Sequence, residues 1–313
     1  MSRAFIFPGQ GAQSIGMGRD LAEAYPEARA VFDEVDNALG EKLSSLIWEG
    51  DIETLTLTAN AQPALMATSI AAMRALQAEG VGIDAAAYVA GHSLGEYSAL
   101  TAAGAFTVAD AARLLRARGK AMQEAVAPGD GAMAAILGLD LADVRQVAHD
   151  AAMGAVVTAA NDNDPAQVVI SGHVHGVERA VALAKERGAK RAVMLPVSAP
   201  FHCSLMQPAA REMAEALNHV TINAPAVPLV ANVVAEAVDD PTTIRSLLVD
   251  QICGTVRWRE SVQWMVAHGV SEFWEIGAGK ALSGMVRRIH KEAATVTVGS
   301  AGDVRSAAAS LSS

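Results

Sequence analysis

Apolar positions along the chain fall into two rhythms, short unbroken runs and longer stretches of helical period. Ala4 to Phe7 is a short apolar run stopped by Pro8-Gly9, and from Gly18 to Leu39 a helical pattern follows with acidic residues on its polar positions. That order predicts strand, glycine-rich turn, helix. Pro63 to Ala78 is rich in Ala and Met at helical spacing. Ala86 to Ala90 is a second short apolar run, which breaks into Gly91-His-Ser-Leu-Gly95 before a helical stretch from Glu96 to Ala103. The sequence β, α, α, β, α predicts an α/β architecture with a mainly parallel sheet.

The middle of the chain changes rhythm. Met133 to Leu139 reads as a strand and Leu141 to Met153 as a helix. Ala155 to Ala160 and Gln167 to Ser171 read as two strands about a polar turn, Asn161 to Pro165. Val174 to Arg187 reads as a helix and Ala189 to Leu195 as a last strand. The order β-α-β-β-α-β is the ferredoxin-like pattern. It predicts a ferredoxin-like subdomain over 130–196, inserted into a core made of 1–129 and 197–313. Beyond Pro208 the α/β rhythm resumes: a helix from Ala209 to Leu217, a strand from Pro228 to Asn232, and helices around Ile244 to Ile252 and Ser261 to His268. The strand Val270 to Ile276 then enters the turn Gly277-Ala-Gly279, with helix from Lys280 and a frayed Ser/Ala-rich tail from Ser306.

Composition narrows the function. The 313 residues are 51% hydrophobic and 19% charged, within the globular class. Aromatics are only 4% and the formal net charge is −10, which speaks against nucleic acid or an anionic membrane as partner. Two charge-free runs, Ala192 to Ala210 and Ala216 to Ala235, are interrupted by prolines and are not membrane helices. Two cysteines, Cys203 and Cys253, and an N-terminus without an apolar leader segment make a reducing cytoplasm the expected compartment.

The strongest chemical signal is Gly91-His92-Ser93-Leu94-Gly95, a G-x-S-x-G between a predicted strand and a predicted helix. In that setting Ser93 stands on a sharp turn as a nucleophile, and the Leu94 N–H lies at a helix N-terminus, where it can stabilise an oxyanion. A serine needs a base. His92 is too close along the chain and supports the elbow, while His202 sits in a proline-framed loop, Pro196 to Cys203, where the chain returns to the main sheet. An imidazole base predicts a rate that falls in acid, with a reference pKa of about 6.5. For the group behind the base, Asp250, Glu275 and Gln251 are all candidates. The turn Gly9-Gln10-Gly11 brings backbone N–H groups and Gln10 into the cleft. It has Ser14 where a dinucleotide fingerprint requires glycine. Gly277-Ala-Gly279-Lys280 lacks a P-loop's spacing and reads as a turn packed on a neighbouring strand. No spacing of Cys, His and carboxylates predicts a metal, and no cofactor is expected.

Six segments in order resemble the malonyl-CoA:acyl-carrier-protein transacylases. They are Phe7 to Gln13, Gln62-Pro-Ala64, Gly91 to Tyr97, Arg118 to Gln123, Pro196 to His202 and Glu275 to Gly279. The resemblance spans Phe5 to Met285 and implies an α/β-hydrolase-like core with a ferredoxin-like subdomain. It implies an acyltransferase of fatty acid biosynthesis that moves malonyl from malonyl-CoA to acyl carrier protein through a malonyl-serine ester. Ser93 would be the nucleophile, His202 the base, Gln251 the residue whose carbonyl positions it, and Gln10 and Leu94 the oxyanion donors. Arg118 would grip the malonyl carboxylate, with Gln62, His92 and Phe201 also at the substrate and Phe201 selecting against an α-methyl branch. Lys190, Arg191, Arg287 and Arg288 are candidates for a basic rim facing the carrier or CoA phosphates. A serine hydrolase using the same elbow is the rival; the order Ser, acid, His would then need His268 or His290 as base.

Overall fold

The computed structural model describes residues 2–197 and 199–312; Ser198 of the proline-framed loop, Met1 and Ser313 lie outside the described residues. Its strands are β1 (Ser2–Phe7), β2 (Tyr88–Gly91), β3 (Gly131–Leu137), β4 (Val157–Asp164), β5 (Gln167–His173), β6 (Arg191–Met194), β7 (Leu229–Val230), β8 (Ala237–Val238), β9 (Val270–Ile276) and β10 (Ala294–Val298). One sheet has the order β10-β9-β1-β2-β7-β8 and the other β4-β5-β3-β6. The first is parallel except for the edge pair β7 and β8, and the second is antiparallel.

Central β1 is buried on both faces, as a parallel sheet between helices requires. Phe5 and Phe7 pack into the cluster under the helices Thr58–Ala78 and Val108–Glu124, while Ala4 and Ile6 face Trp258, Val262 and Val286 on the other side. The antiparallel sheet divides its residues in the same way. Ala134 and Ile136 meet Val144, Val147 and Val177 of the helices Leu141–Ala152 and Val174–Glu186. Met133 and Ala135, one residue out of step, turn toward the core. This is the α/β core with a ferredoxin-like unit that the pattern predicts.

Several elements differ from the sequence reading. The Gly18–Leu39 stretch is two helices, Arg19–Ala24 and Pro26–Leu39, broken at extended Tyr25 because Pro26 starts the second. The helix expected from Pro63 begins at Thr58 and carries Pro63 within it. Short helices Leu43–Glu49 and Ile52–Thr56, strand β10 and the final helix Ala301–Ser312 were not anticipated. The tail from Ser306 belongs to that helix. Ala301, Val304 and Ala307 are buried, and the Ala301 N–H donates to Asp20 at 2.8 Å.

The segment Asn161 to Asp164, whose polarity predicts a turn, departs most from that expectation. Its residues are the buried end of β4. Their polar groups are matched across the seam between the two sheets: the two Asp162 carboxylate oxygens share the Arg259 Nε–H at 3.0 Å, and Asp164 accepts from Arg288 at 2.8 Å. The Asp162 N–H donates to the Val256 carbonyl at 2.9 Å. Polarity signals a turn only when nothing polar lies opposite it.

Candidate active site

Ser93 has φ 53°, in the left-handed region that a non-glycine residue enters at a cost. The turn around it closes only because its flanks are glycine. A Cβ on Gly91 would lie 1.9 Å from the Gly95 carbonyl, and one on Gly95 would lie 2.3 Å from the Phe7 carbonyl oxygen. Buried Asn232, just past β7, clamps the same turn. Its Oδ1 accepts from the Ser93 N–H at 2.9 Å and its Nδ2 donates to the Gly91 carbonyl at 2.7 Å. Sequence reading missed Asn232, whose signal was a polar residue at the end of a buried strand beside β2.

The Ser93 hydroxyl lies 2.8 Å from His202 Nε2, and His202 Nδ1 lies 2.8 Å from the Gln251 carbonyl oxygen. A carbonyl only accepts, so Nδ1 carries the proton and Nε2 presents its lone pair to the hydroxyl. Burial, with the Arg118 charge second, pushes the His202 imidazole down to about 3. It is therefore neutral at physiological pH, its pKa well below that of an ordinary histidine.

Of the candidates for the group behind the base, the structure places Gln251 there through its main chain. Glu275 is turned elsewhere: its carboxylate accepts from the Leu282 and Ser283 N–H groups at 3.0 and 2.7 Å, capping the helix Ala281–Ile289. Gly277 of that motif packs against Ser69 of the helix Thr58–Ala78 as well as beside β10. His268 stacks on Trp264 with Nδ1 2.8 Å from that residue's carbonyl, at the surface.

Arg118 departs from its helical neighbours. Arg113 and Lys120 are exposed, whereas Arg118 is 1% exposed. Its Nη1 donates to Gln62 Oε1 at 2.8 Å, and its Nη2 to Gln251 Oε1 at 2.7 Å and to Ser93 Oγ at 3.1 Å. The guanidinium lies 5.7 Å from the centre of the Tyr97 ring. No carboxylate stands within ion-pair distance among the described residues, and Nε has no partner. A buried cation in this state can pair with an anion that enters beside it.

These groups open on a cavity of about 530 Å³ between the two sheets, lined by Gln10, Leu94, Arg118, Met133, Ala135 and Phe201 among others. The backbone N–H groups of Gln10 and Leu94 have no acceptor among the described residues; the Gln10 side chain donates to Thr58 Oγ1 at 3.4 Å. His92 touches the cavity, but its ring is held by Asn163 Oδ1, 2.8 Å from Nε2, beside Trp258. Asn163 lies in the segment whose polarity predicts a turn, so the sequence carries no local signal of this contact. Of the four basic rim candidates, Arg288 is committed to Asp164, while Lys190, Arg191 and Arg287 are exposed. Among the described residues no group of three or more His, Cys, Asp or Glu is placed to hold a metal, and no helix is long and apolar enough to cross a membrane.

Residues 4–306 match the model of the acyl transferase domain family. The chain belongs to that family. Over 296 residues it is 50% identical to the malonyl CoA-acyl carrier protein transacylase of Bacillus subtilis, covering 94% of this chain and 92% of that one. The crystal structure of the acyl-carrier-protein-S-malonyltransferase from Bartonella henselae superposes with TM-score 0.98 at 54% identity, covering all of both chains. A malonyl-transacylase solved in complex with its type II PKS acyl-carrier protein gives TM-score 0.96 at 41% identity, over 99% of this chain and 100% of the other. An acyl transferase needs a nucleophile, a base and a place for the carbonyl oxygen. Here a serine on a strained turn, a neutral imidazole and two unpaired N–H groups face one cavity.

Proposed function

We propose that this chain transfers the malonyl group of malonyl-CoA to the phosphopantetheine thiol of acyl carrier protein, by a ping-pong exchange through a malonyl ester of Ser93. The observation that carries the reading is the buried Arg118 guanidinium, without a carboxylate partner and 3.1 Å from the Ser93 hydroxyl. A cation in that place selects an acyl group that brings its own negative charge.

In the first half-reaction His202 Nε2 takes the Ser93 proton as Oγ bonds to the thioester carbonyl carbon. The tetrahedral oxyanion is received by the N–H groups of Gln10 and Leu94. Collapse breaks the C–S bond, and the CoA sulfur leaves with the proton from His202. In the second half-reaction the carrier's thiol gives its proton to His202, its sulfur attacks the ester carbonyl, and Ser93 Oγ leaves and recovers the proton. The Gln251 carbonyl holds the imidazole in the required tautomer throughout. It lacks the full charge that a carboxylate would set beside an imidazolium.

Around the acyl group, Arg118 pairs with the malonyl carboxylate and Gln62 orients the guanidinium. His92 and Phe201 shape the wall, and the Phe201 ring crowds an α-methyl branch. We assign 1–129 and 197–313 to the catalytic core and 130–196 to the subdomain that closes the cleft, and the cytoplasm as the compartment, in keeping with two free thiols. The exchange uses no metal or cofactor. Incubation with labelled malonyl-CoA tests the reading. Stable label on Ser93, discharged by holo carrier protein, is the expected result. Rapid release of free malonate would make the chain a hydrolase, and absence of label would refute acyl transfer.

A further inference from the structure

One buried carboxyl group beside Ser93 has no part in these steps. Glu96 lies in the first turn of the helix Gly95–Ala102, three residues beyond Ser93, and is 1% exposed. No cation stands within ion-pair distance of its carboxylate among the described residues. Burying a carboxylate without an ion-pair partner is costly, so its hydrogen bonds decide why it is tolerated. Oε2 accepts a short bond from Gln251 Nε2, and Oε1 accepts from the Asn232 N–H at 3.4 Å.

The Gln251 side-chain amide is the junction. Its Oε1 accepts from Arg118 Nη2 at 2.7 Å, while its Nε2 donates to Glu96 and, at 3.0 Å, to the Ser93 carbonyl. Turning the amide over would set donor against donor at Arg118 and acceptor against acceptor at Glu96. An ionised carboxylate can only accept. It therefore opposes the inverted amide, whereas a neutral glutamine in its place would accept either sense at that contact and leave only Arg118 and the Ser93 carbonyl to set it. The carbonyl that holds His202 belongs to the main chain of Gln251 and does not depend on that sense; the Arg118 contact does.

We propose that Glu96 is a positioning residue that fixes the sense of the Gln251 amide, and through it the guanidinium that receives the acyl donor's carboxylate. The inference rests on the malonyl reading above. Its signature is selectivity. A defect confined to the amide and Arg118 weakens malonyl transfer and leaves acetyl transfer, which offers no carboxylate, nearly intact.

The test is a double-mutant cycle read as the ratio of kcat/KM for malonyl-CoA to that for acetyl-CoA. Both donors are measured on one preparation, so loss of folded protein cancels. Glu96→Gln is expected to lower the ratio about tenfold in the native background, and to change it less than about twofold in the Gln251→Ala background, where no amide remains to be set. Equal losses in the two backgrounds would overturn the proposal, since Glu96 would then act without Gln251. A wild-type ratio near one would overturn the malonyl reading itself and the inference with it.

A wild-type measurement needs no variant to fold. Burial pushes the Glu96 carboxyl up to about 7. The groups around it titrate elsewhere: His202 is held at about 3, His92 is also pushed down by burial, Tyr97 is pushed up to about 12, and Arg118 stays cationic. Cys203 and Cys253 are pushed upward. Protonating Glu96 supplies a donor where only an acceptor fits, so the malonyl to acetyl ratio is expected to fall as pH drops through neutrality. A ratio constant across that range overturns the proposal.

Discussion

The Arg118 guanidinium donates to the Ser93 hydroxyl at 3.1 Å, so any acyl group on that oxygen begins within one hydrogen bond of a buried positive charge. A malonyl group brings a carboxylate on a one-carbon arm to meet it. An acetyl group leaves the charge unpaired. Removing one partner of a buried ion pair costs about 3 to 5 kcal/mol. Arg118→Ala is expected to lower kcat/KM for malonyl-CoA by roughly two to four orders of magnitude while changing acetyl-CoA transfer by less than about tenfold. Steady-state kinetics with the two donors checks this, and equal losses would remove Arg118 from the role.

The acid limb of the chemistry follows from the His202 environment. Burial and the neighbouring Arg118 disfavour its charged form and lower its pKa to about 3, so the neutral base persists to lower pH than an ordinary histidine allows. Single-turnover acylation of Ser93 by acetyl-CoA is expected to stay within about twofold from pH 8 to 5. Acetyl-CoA is the donor to use because it brings no carboxylate for Arg118 to pair with. A fall with a midpoint near about 6.5 would show an imidazole in a much wetter setting. The stability sign is the same: the unfolded chain binds the His202 proton more readily, so this group favours unfolding as pH drops from about 6.5 toward 3.

The elbow's geometry makes a separate claim about stability. A methyl group on Gly91 would meet the Gly95 carbonyl at 1.9 Å, and both atoms belong to backbone that no side-chain rotation can move. Gly91→Ala is therefore expected to cost more than about 3 kcal/mol, read by chemical denaturation. A variant within about 1 kcal/mol of wild type would mean that the turn relaxes freely and that Ser93 is not held by it.

The parts legible in sequence share one property, that their signals are local. The strand, turn and helix around Gly91 to Ala102 lie within a dozen residues, and the ferredoxin-like order is a matter of periodicity. What escaped was set by partners far along the chain. Asn161 to Asp164 read as a turn because Arg259 and Arg288, which satisfy two of its carboxylates, lie about a hundred residues away. Asn232 and Glu96 look ordinary until the strand order β1-β2-β7 brings the loop after β7 beside the elbow. Arg118 stood out only through the resemblance, since three basic neighbours on its helix are the usual mark of a solvated face. His268 and His290 could be set against His202 only by asking which loop returns to the sheet.

The seam between the sheets reaches the residue before Ser93 through the contact of His92 Nε2 with Asn163 Oδ1 at 2.8 Å. His92 immediately precedes Ser93, and burial keeps its ring neutral. With Asn163 as acceptor, Nε2 carries the ring proton. Asn163→Ala removes that acceptor and leaves a buried N–H unpaired, at a cost of about 1 to 3 kcal/mol. The freed ring also loosens the residue from which Ser93 is displayed, while Arg118 and the Gln251 carbonyl keep their own partners. The expected outcome is a loss of stability of that size together with a slower acylation rate, by about tenfold, and little change in the malonyl to acetyl ratio. Stopped-flow acylation beside denaturant unfolding separates the two effects. If stability fell while the acylation rate held, the contact would serve only to join the sheets, and the elbow would owe its geometry to Asn232 and the two glycines alone.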